Sequence, residues 1–204
     1  MIDLTDRQLI AAEDLRDVAA GETVRIGAKS LVTALAVDAA RERHIAFERV
    51  ATSVGAGKVR RRIAIGADHG GFEMKEMMKK VLEELGCEYL DLGTTSTEPV
   101  DYPDFAHAVA LAVARRTCDL GIMIDGAGIG SCMVANKVPG VRAAMCYDES
   151  SARNSREHNG ANVLTLGGKM ISNDKMREIV RVWLSTELTE ERHRRRVAKI
   201  DALL

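Results

Sequence analysis

A chain of 204 residues holds one well-packed domain of ordinary size with some chain to spare. Hydrophobic residues make up 46% and charged residues 29%, and the formal net charge is −1, so no charge excess draws the whole chain to nucleic acid or to an anionic membrane. Aromatic residues, at 3%, leave few rings for stacking on bases, no apolar run approaches the roughly 18–20 residues that span a bilayer, and the opening MIDLTDRQLIAAEDLRD lacks the basic start and apolar centre of a secretory signal. A cytoplasmic protein that binds neither nucleic acid nor membrane is the expectation.

Two unequal parts follow in chain order. Residues 1–58 form an amino-terminal extension with an acidic, helix-like stretch from Leu9 to Val18, a break at Ala20-Gly21, a strand-like ETVRIG and a second helical stretch from about Thr33 to His44. The segment ATSVGAGKVRRR reads as a linker. Residues 59–204 are regular. Ile63-Ala-Ile65-Gly is a short apolar run of the kind buried on both faces of a sheet. Met74, Met77, Met78, Val81, Leu82 and Leu85 then recur at helical spacing, and Gly86 stands where a helix ends. CEYLDL, DLGIMI, VRAAMC and NVLTL read as further strands. Between and after them come helices at Phe105–Arg115, after the glycine loop, from Asp148 to His158, and one long helix from Asp174. Strands alternating with helices across short loops imply an α/β domain with a parallel sheet covered on both faces, and in such sheets ligands sit at the carboxyl ends of the strands. The four cysteines, Cys87, Cys118, Cys132 and Cys146, contain no CxxC pair, so neither a metal site nor a disulfide framework is indicated.

The loops at those strand ends hold the chemistry. Gly66-Ala-Asp68-His69-Gly-Gly can hold a sugar hydroxyl and lead an anion to a helix start, although alone it is equally a capped turn. Asp125-Gly126-Ala127-Gly128-Ile129-Gly130-Ser131 places three glycines at alternate positions, which bares backbone N–H groups. It is neither a Walker A loop nor a dinucleotide fingerprint. A hollow of N–H groups beside a carboxylate suits a reaction in which an oxyanion grows next to a departing proton. Arg156-Glu-His158-Asn159 ends a polar helix, where a lone histidine is more often a surface cap. In Glu191-Arg192-His-Arg-Arg-Arg196, Arg192 and Arg196 are four apart, share a helix face and suit one dianion, while a basic run alone is usually a solvated face.

Together, GADHGGF, DYPDFA, DGAGIG, ANK-PG-RAA, REHNGANVLTLGG and RH-RRV resemble, in order and spacing, ribose-5-phosphate isomerase B and its galactose-6-phosphate isomerase relatives, from about Arg62 to Leu203. The resemblance implies a Rossmann-like three-layer sandwich with a mostly parallel five-stranded sheet. It also implies a homodimer or tetramer whose active site is shared between subunits, and a reaction without metal or organic cofactor. The activity implied is interconversion of ribose 5-phosphate and ribulose 5-phosphate by ring opening and a cis-enediolate. By position Asp68, His69 and Tyr102 contact the sugar, Gly126, Ala127, Gly128, Ile129 and Gly130 offer N–H groups to the enediolate, and His158 assists ring opening. Asn159 holds a sugar oxygen, and Arg192 and Arg196 clamp the phosphate across the subunits.

Three positions depart from the family pattern. Asp125 stands where many members carry a cysteine base, and Ser131 stands six residues on, where others carry a glutamate. The simplest replacement is Asp125 itself, whose carboxylate becomes a better base when partly buried. Ala127 replaces a frequent threonine, and Lys169 replaces an arginine, exchanging a fork for a point charge. Two alternatives accompany this reading: an isomerase of a tetrose or hexose phosphate, and a catalytically weakened sugar-phosphate-binding or scaffold protein. GETVRIG…SLVTALAVDAARERHI is similar to segments of proteins associated with bacterial microcompartments, which implies a location inside such a compartment. An amphipathic face of Leu9, Ile10, Ala12, Leu15 and Val18 would then dock residues 1–58 on a shell or cargo enzyme, against the plainer expectation of a helical hairpin packed on its own dimer.

Overall fold

The computed structural model describes residues 2–5, 7, 9–28, 30–50 and 61–203. The chain divides into two compact units, Met1–Val59 and Arg60–Leu204. Most of the expected linker, residues 51–60, lies outside the described residues.

The first unit contains β1 (Ile2–Leu4), β2 (Leu9–Ile10), a 3-10 turn (Ala12–Leu15), β3 (Thr23–Gly27), β4 (Leu31–Val32), α1 (Ala34–Glu42) and β5 (Ala46–Val50). Strands β1, β3 and β5 form a parallel sheet in that order, and β2 pairs in parallel with β4. Thr33 caps α1 by accepting the Ala36 N–H. The stretch from Leu9 to Val18 is therefore not the expected helix. Its first residues join a ladder with β4, the Asp14 carboxylate accepts the Ala11 N–H at 2.8 Å, and the Arg43 guanidinium donates to the carbonyls of Leu15 and Val18, so only a short 3-10 turn forms. Three of the five residues expected to form a docking face pack inward instead. Ile10, Leu15 and Val18 are buried with Val24, Ile26, Ala36, Ala40 and Ile45 as this unit's own core.

The second unit runs β6 (Arg62–Ala67), α2 (Phe72–Glu84), β7 (Glu88–Asp91), α3 (Tyr102–Ala114), β8 (Leu120–Asp125), α4 (Ile129–Ala135), β9 (Ala143–Met145), α5 (Glu149–Glu157), β10 (Val163–Gly167), α6 (Asn173–Ser185) and α7 (Glu191–Asp201). Its five strands are all parallel, in the order β7-β6-β8-β10-β9. The alternation of side chains separates two cores. Ile63, Ile65, Ile122, Ile124, Leu164 and Leu166 face α2, α5 and α6, while Ala64, Met123 and Val163 face α3 and α4. On the second face small residues bring α3 close. A Cβ on Gly66 or Gly121 would sit 2.7 or 2.8 Å from the Val109 side chain. Gly86, at φ 69°, ends α2 in the left-handed conformation that glycine tolerates best. The expected long helix from Asp174 is two helices. Thr186 turns extended, at φ −95° and ψ 139°, and its hydroxyl donates back to the Val182 carbonyl at 2.7 Å, so α6 stops there.

Chain order reverses between β6 and β8, so their carboxyl ends border the crevice that such a sheet offers to ligands. The loop after β6 lies directly on β8, where a Cβ on Gly71 would come within 2.1 Å of the Ile124 carbonyl oxygen. Neither backbone has room to retreat. We expect Gly71→Ala to destabilise the protein by about 1–3 kcal/mol or more, measured as a lowered denaturant midpoint, and an unchanged midpoint would refute this account of the close approach.

Candidate active site

Asp68 and His69 leave the end of β6. Asp68 is 6% exposed and accepts the Gly71 N–H at 3.0 Å, so it holds its own turn. His69 Nδ1 lies 3.2 Å from both the amide nitrogen and the carbonyl oxygen of Val100, which sets it against the segment leading to Tyr102. That segment starts from a buried ion pair. The Lys75 side chain, 1% exposed, reaches Glu76 at 2.8 Å and Asp91, and Lys79 joins Asp91 at 2.7 Å. Burial raises the Asp91 carboxyl, but the two ammonium groups and the Gly93 N–H outweigh it and hold the carboxyl below its ordinary value. Only the oppositely charged partners make so buried a lysine tolerable.

The loop after β8 closes on Asp125, which is 4% exposed. Its Oδ1 accepts the N–H of Ala127 at 2.8 Å and that of Gly128, and its Oδ2 accepts the N–H of Ser131 at 3.0 Å and the Ser131 hydroxyl. Gly128 permits the closure at φ 82°. The N–H groups of Ala127 and Gly128, expected to be open to an oxyanion, are thus turned onto the loop's own carboxylate. Ile129 and Gly130 open α4, and Ala127 and Ile129 are exposed. The neighbouring loops converge here. Gly70 faces Gly126, Lys169 N–H donates to the Gly126 carbonyl at 3.1 Å while its side chain passes over Gly126, and the Tyr102 ring lies on Gly130, 2.5 Å from where a Cβ would stand. Asp68, His69, Tyr102, the 125–131 loop and Lys169 therefore belong to one site at the carboxyl ends of β6, β8 and β10.

His158, Asn159, Arg192 and Arg196 form a second group. His158 ends α5 and stacks on His193 of α7, with ring centroids 4.3 Å apart. Arg192, on α7, pairs with Glu190, and both Arg192 and Arg196 are exposed. Arg142 ties the group together: its guanidinium donates to the Gly160 carbonyl at 2.9 and 3.1 Å and pairs with Asp201 at 2.7 Å. No hydrogen bond, ion pair or ring contact among the described residues joins this group to the 125–131 loop. Asn159 and Arg142 also line a cleft of about 660 Å³ beside the edge strand β9. Among the described residues no three His, Cys, Asp or Glu side chains are arranged to hold a metal ion.

Three residues of this architecture were not singled out by motif: Lys75, Arg142 and His193. The apolar spacing of α2 hid Lys75. Arg142 and His193 lay inside quoted motifs whose neighbours drew the attention.

The family model for ribose/galactose isomerases matches residues 63–200. The chain belongs to that family. Ribose-5-phosphate isomerase B of Escherichia coli (strain K12) is 43% identical over 143 residues, which are 70% of this chain and 96% of that protein. The solved ribose-5-phosphate isomerase B of Clostridium thermocellum superposes with a TM-score of 0.68 at 47% identity, over 70% of this chain and 96% of that one. The Mycoplasma genitalium enzyme, solved with bound ribulose-5-phosphate, gives a TM-score of 0.67 at 38% identity, over 70% and 95%. The Rossmann-like sheet is thus the fold of the family's ribose-5-phosphate isomerases B, and the family match begins just after the first unit ends.

Tyr102 is 38% exposed, so its ring can swing outward if Gly130 gains a side chain. We expect Gly130→Ala to raise KM for the sugar phosphate about tenfold by displacing the ring, with stability changed by less than about 1 kcal/mol. Steady-state kinetics and a thermal melt test this, and an unchanged KM would remove Tyr102 from the site.

Proposed function

We propose that this chain interconverts ribose 5-phosphate and ribulose 5-phosphate, with Asp125 as the base that moves the proton between C1 and C2. The observation that carries the reading is the family match over residues 63–200, with 43% identity to a ribose-5-phosphate isomerase B; Asp125 is the buried carboxylate on which the 125–131 loop closes. Starting from the aldose, Asp125 takes the C2 proton. The C2–H electron pair becomes the C1=C2 bond, and O1 takes the negative charge. Return of the proton to C1, with the O2 proton passing to O1, gives the ketose. During the first step charge leaves the carboxylate and appears on the neighbouring oxygen. The donors that an enediolate needs, the Ala127 and Gly128 N–H groups, are already gathered at the point of transfer, and a neutral carboxyl holds them less strongly. All four acceptor positions of Asp125 are filled, and the Ser131 hydroxyl is the one donor that rotates freely. Its rotation is what opens a lone pair to the substrate.

We expect Asp125→Asn to lower kcat about 10³-fold, and Asp125→Cys, a thiol in the same place, to retain much more activity. Conversion of ribose 5-phosphate, followed beside exchange of the C1 protons of ribulose 5-phosphate in D2O, checks this. Equal activity in the Asn variant would place the base elsewhere. Binding of the sugar phosphate by the natural protein without turnover would leave a binding protein.

The shared site is part of the same proposal. Among the described residues His158, Asn159, Arg192 and Arg196 make no hydrogen bond, ion pair or ring contact with the loop of their own copy, and a second copy supplies them. Lys169 then meets the phosphate as a single point charge beside the two arginines. Mixing inactive Asp125→Asn with an inactive Arg192→Ala, Arg196→Ala double variant should restore about a quarter of the natural activity, because half of the random dimers carry one intact site. No recovery after subunit exchange would assign both groups to one copy.

A further inference from the structure

His158 is held on two sides. The amide nitrogen of Asn154 lies 2.9 Å from its Nδ1. With the amide in this orientation its NH2 donates, Nδ1 accepts, and the neutral ring carries its proton on Nε2 at the opposite end. The face of the ring is covered by His193, stacked at 4.3 Å with 17° between the planes. His193 is itself 4% exposed, and its Nε2 has no hydrogen-bond partner among the described residues. The Glu190 carboxylate, 3.7 Å away, is beyond hydrogen-bond reach. Burial first, then the His158 ring and Arg192, with Arg196 adding and Glu190 opposing, hold His193 below its ordinary value. His193 is therefore a flat, neutral neighbour at neutral pH.

We propose that Asn154 and His193 are positioning residues that fix His158 as the neutral Nε2–H tautomer, so that it meets a furanose phosphate as a hydrogen-bond donor to the ring oxygen. The proposal rests on the isomerase reading above for its substrate, though not for its tautomer. As the ring opens, the C1–O4 bond breaks with its electron pair staying on O4. The O1 hydroxyl loses its proton to water as C1=O1 forms, and O4 takes a proton from water. The His158 N–H stabilises the charge on O4 throughout and gives up no net proton, as a neutral imidazole can. A cationic His158 would need a proton on Nδ1, where the Asn154 donor stands.

The test combines the imidazole ¹⁵N spectrum of the full chain with two assays on Asn154→Leu, Asn154→Asp, His193→Phe and His193→Ala. In the natural protein His158 Nδ1 should be unprotonated and Nε2 protonated. Asn154→Leu should give a mixture of tautomers, and Asn154→Asp should move the proton to Nδ1. Conversion of ribose 5-phosphate should fall about tenfold in Asn154→Leu and His193→Ala and stay near normal in His193→Phe, which keeps a stacked ring. Exchange of the C1 protons of ribulose 5-phosphate should change less than about twofold in all four, because that ketose has no furanose to open. A protonated Nδ1 in the natural protein, an unchanged tautomer in Asn154→Leu, or equal losses in both assays would overturn the proposal. Absence of turnover by the natural protein would overturn the isomerase reading and the role in ring opening, while the spectrum would still decide the tautomer.

Discussion

Four donors of one loop converge on the two carboxylate oxygens of Asp125, and the rest of the carboxyl edge of the sheet is assembled on that closed loop. Hydrogen bonds to a charged group contribute about 1.5–3 kcal/mol each, so a loop with three glycines and little intrinsic stiffness acquires one shape. Gly126 then offers its carbonyl to Lys169, Gly128 packs against the backbone of residues 166 and 167, and Gly130 presents a bare surface to Tyr102. The loop after β6 is fixed to the same point from the other side, through Gly70 and Gly71. A thiol at position 125 could not accept so many donors so strongly. The carboxylate in this member is therefore part of the scaffold of the loop.

The central strands β6, β8 and β10 were legible because burial on both faces leaves a plain mark, a short apolar run closed by glycine or aspartate. The helices were legible where apolar spacing and a terminal signal agreed, as at Gly86. What failed had no such agreement. The segment Thr186-Glu-Leu-Thr-Glu190 contains neither proline nor glycine, and the break comes from a threonine hydroxyl folding back on α6. Between Leu9 and Val18 the apolar residues satisfy a core that depends on β4 and on the Arg43 side chain, both remote in sequence. The site residues were found by motif, but their grouping was not, since spacing gives no distance. One signal was available: an aspartate followed by Gly-Ala-Gly invites the side chain to bond its own backbone two and three residues on.

The two units solve the problem of a small core differently. The first, with under sixty residues, encloses Ile10, Leu15, Val18, Val24 and Ile26 between a three-stranded sheet and a single helix. Ile10, Leu15, Val18, Val24 and Ile26 are spent internally, and among the described residues the large apolar side chains it leaves exposed are Leu31, Leu35 and Val37. The second has a core on each side of its sheet and corresponds to nearly the whole length of its relatives. Each unit therefore answers to its own packing constraints, and a substitution in one core is read out in that core.

The small-residue face of the sheet limits how this enzyme can be remodelled. With Gly66 and Gly121 under Val109, α3 already lies as near the strands as side chains allow, and any added atom must push the whole helix outward. Tyr102 is the first residue of that helix, so its backbone position is set by the distance between two layers rather than by the pocket it borders. Adaptation to longer or shorter sugars then has two inexpensive routes, the exposed side of the Ala127–Ile129 turn and the rotamer of Tyr102. Change at Gly66 and Gly121 is closed to evolution by steric exclusion beneath α3.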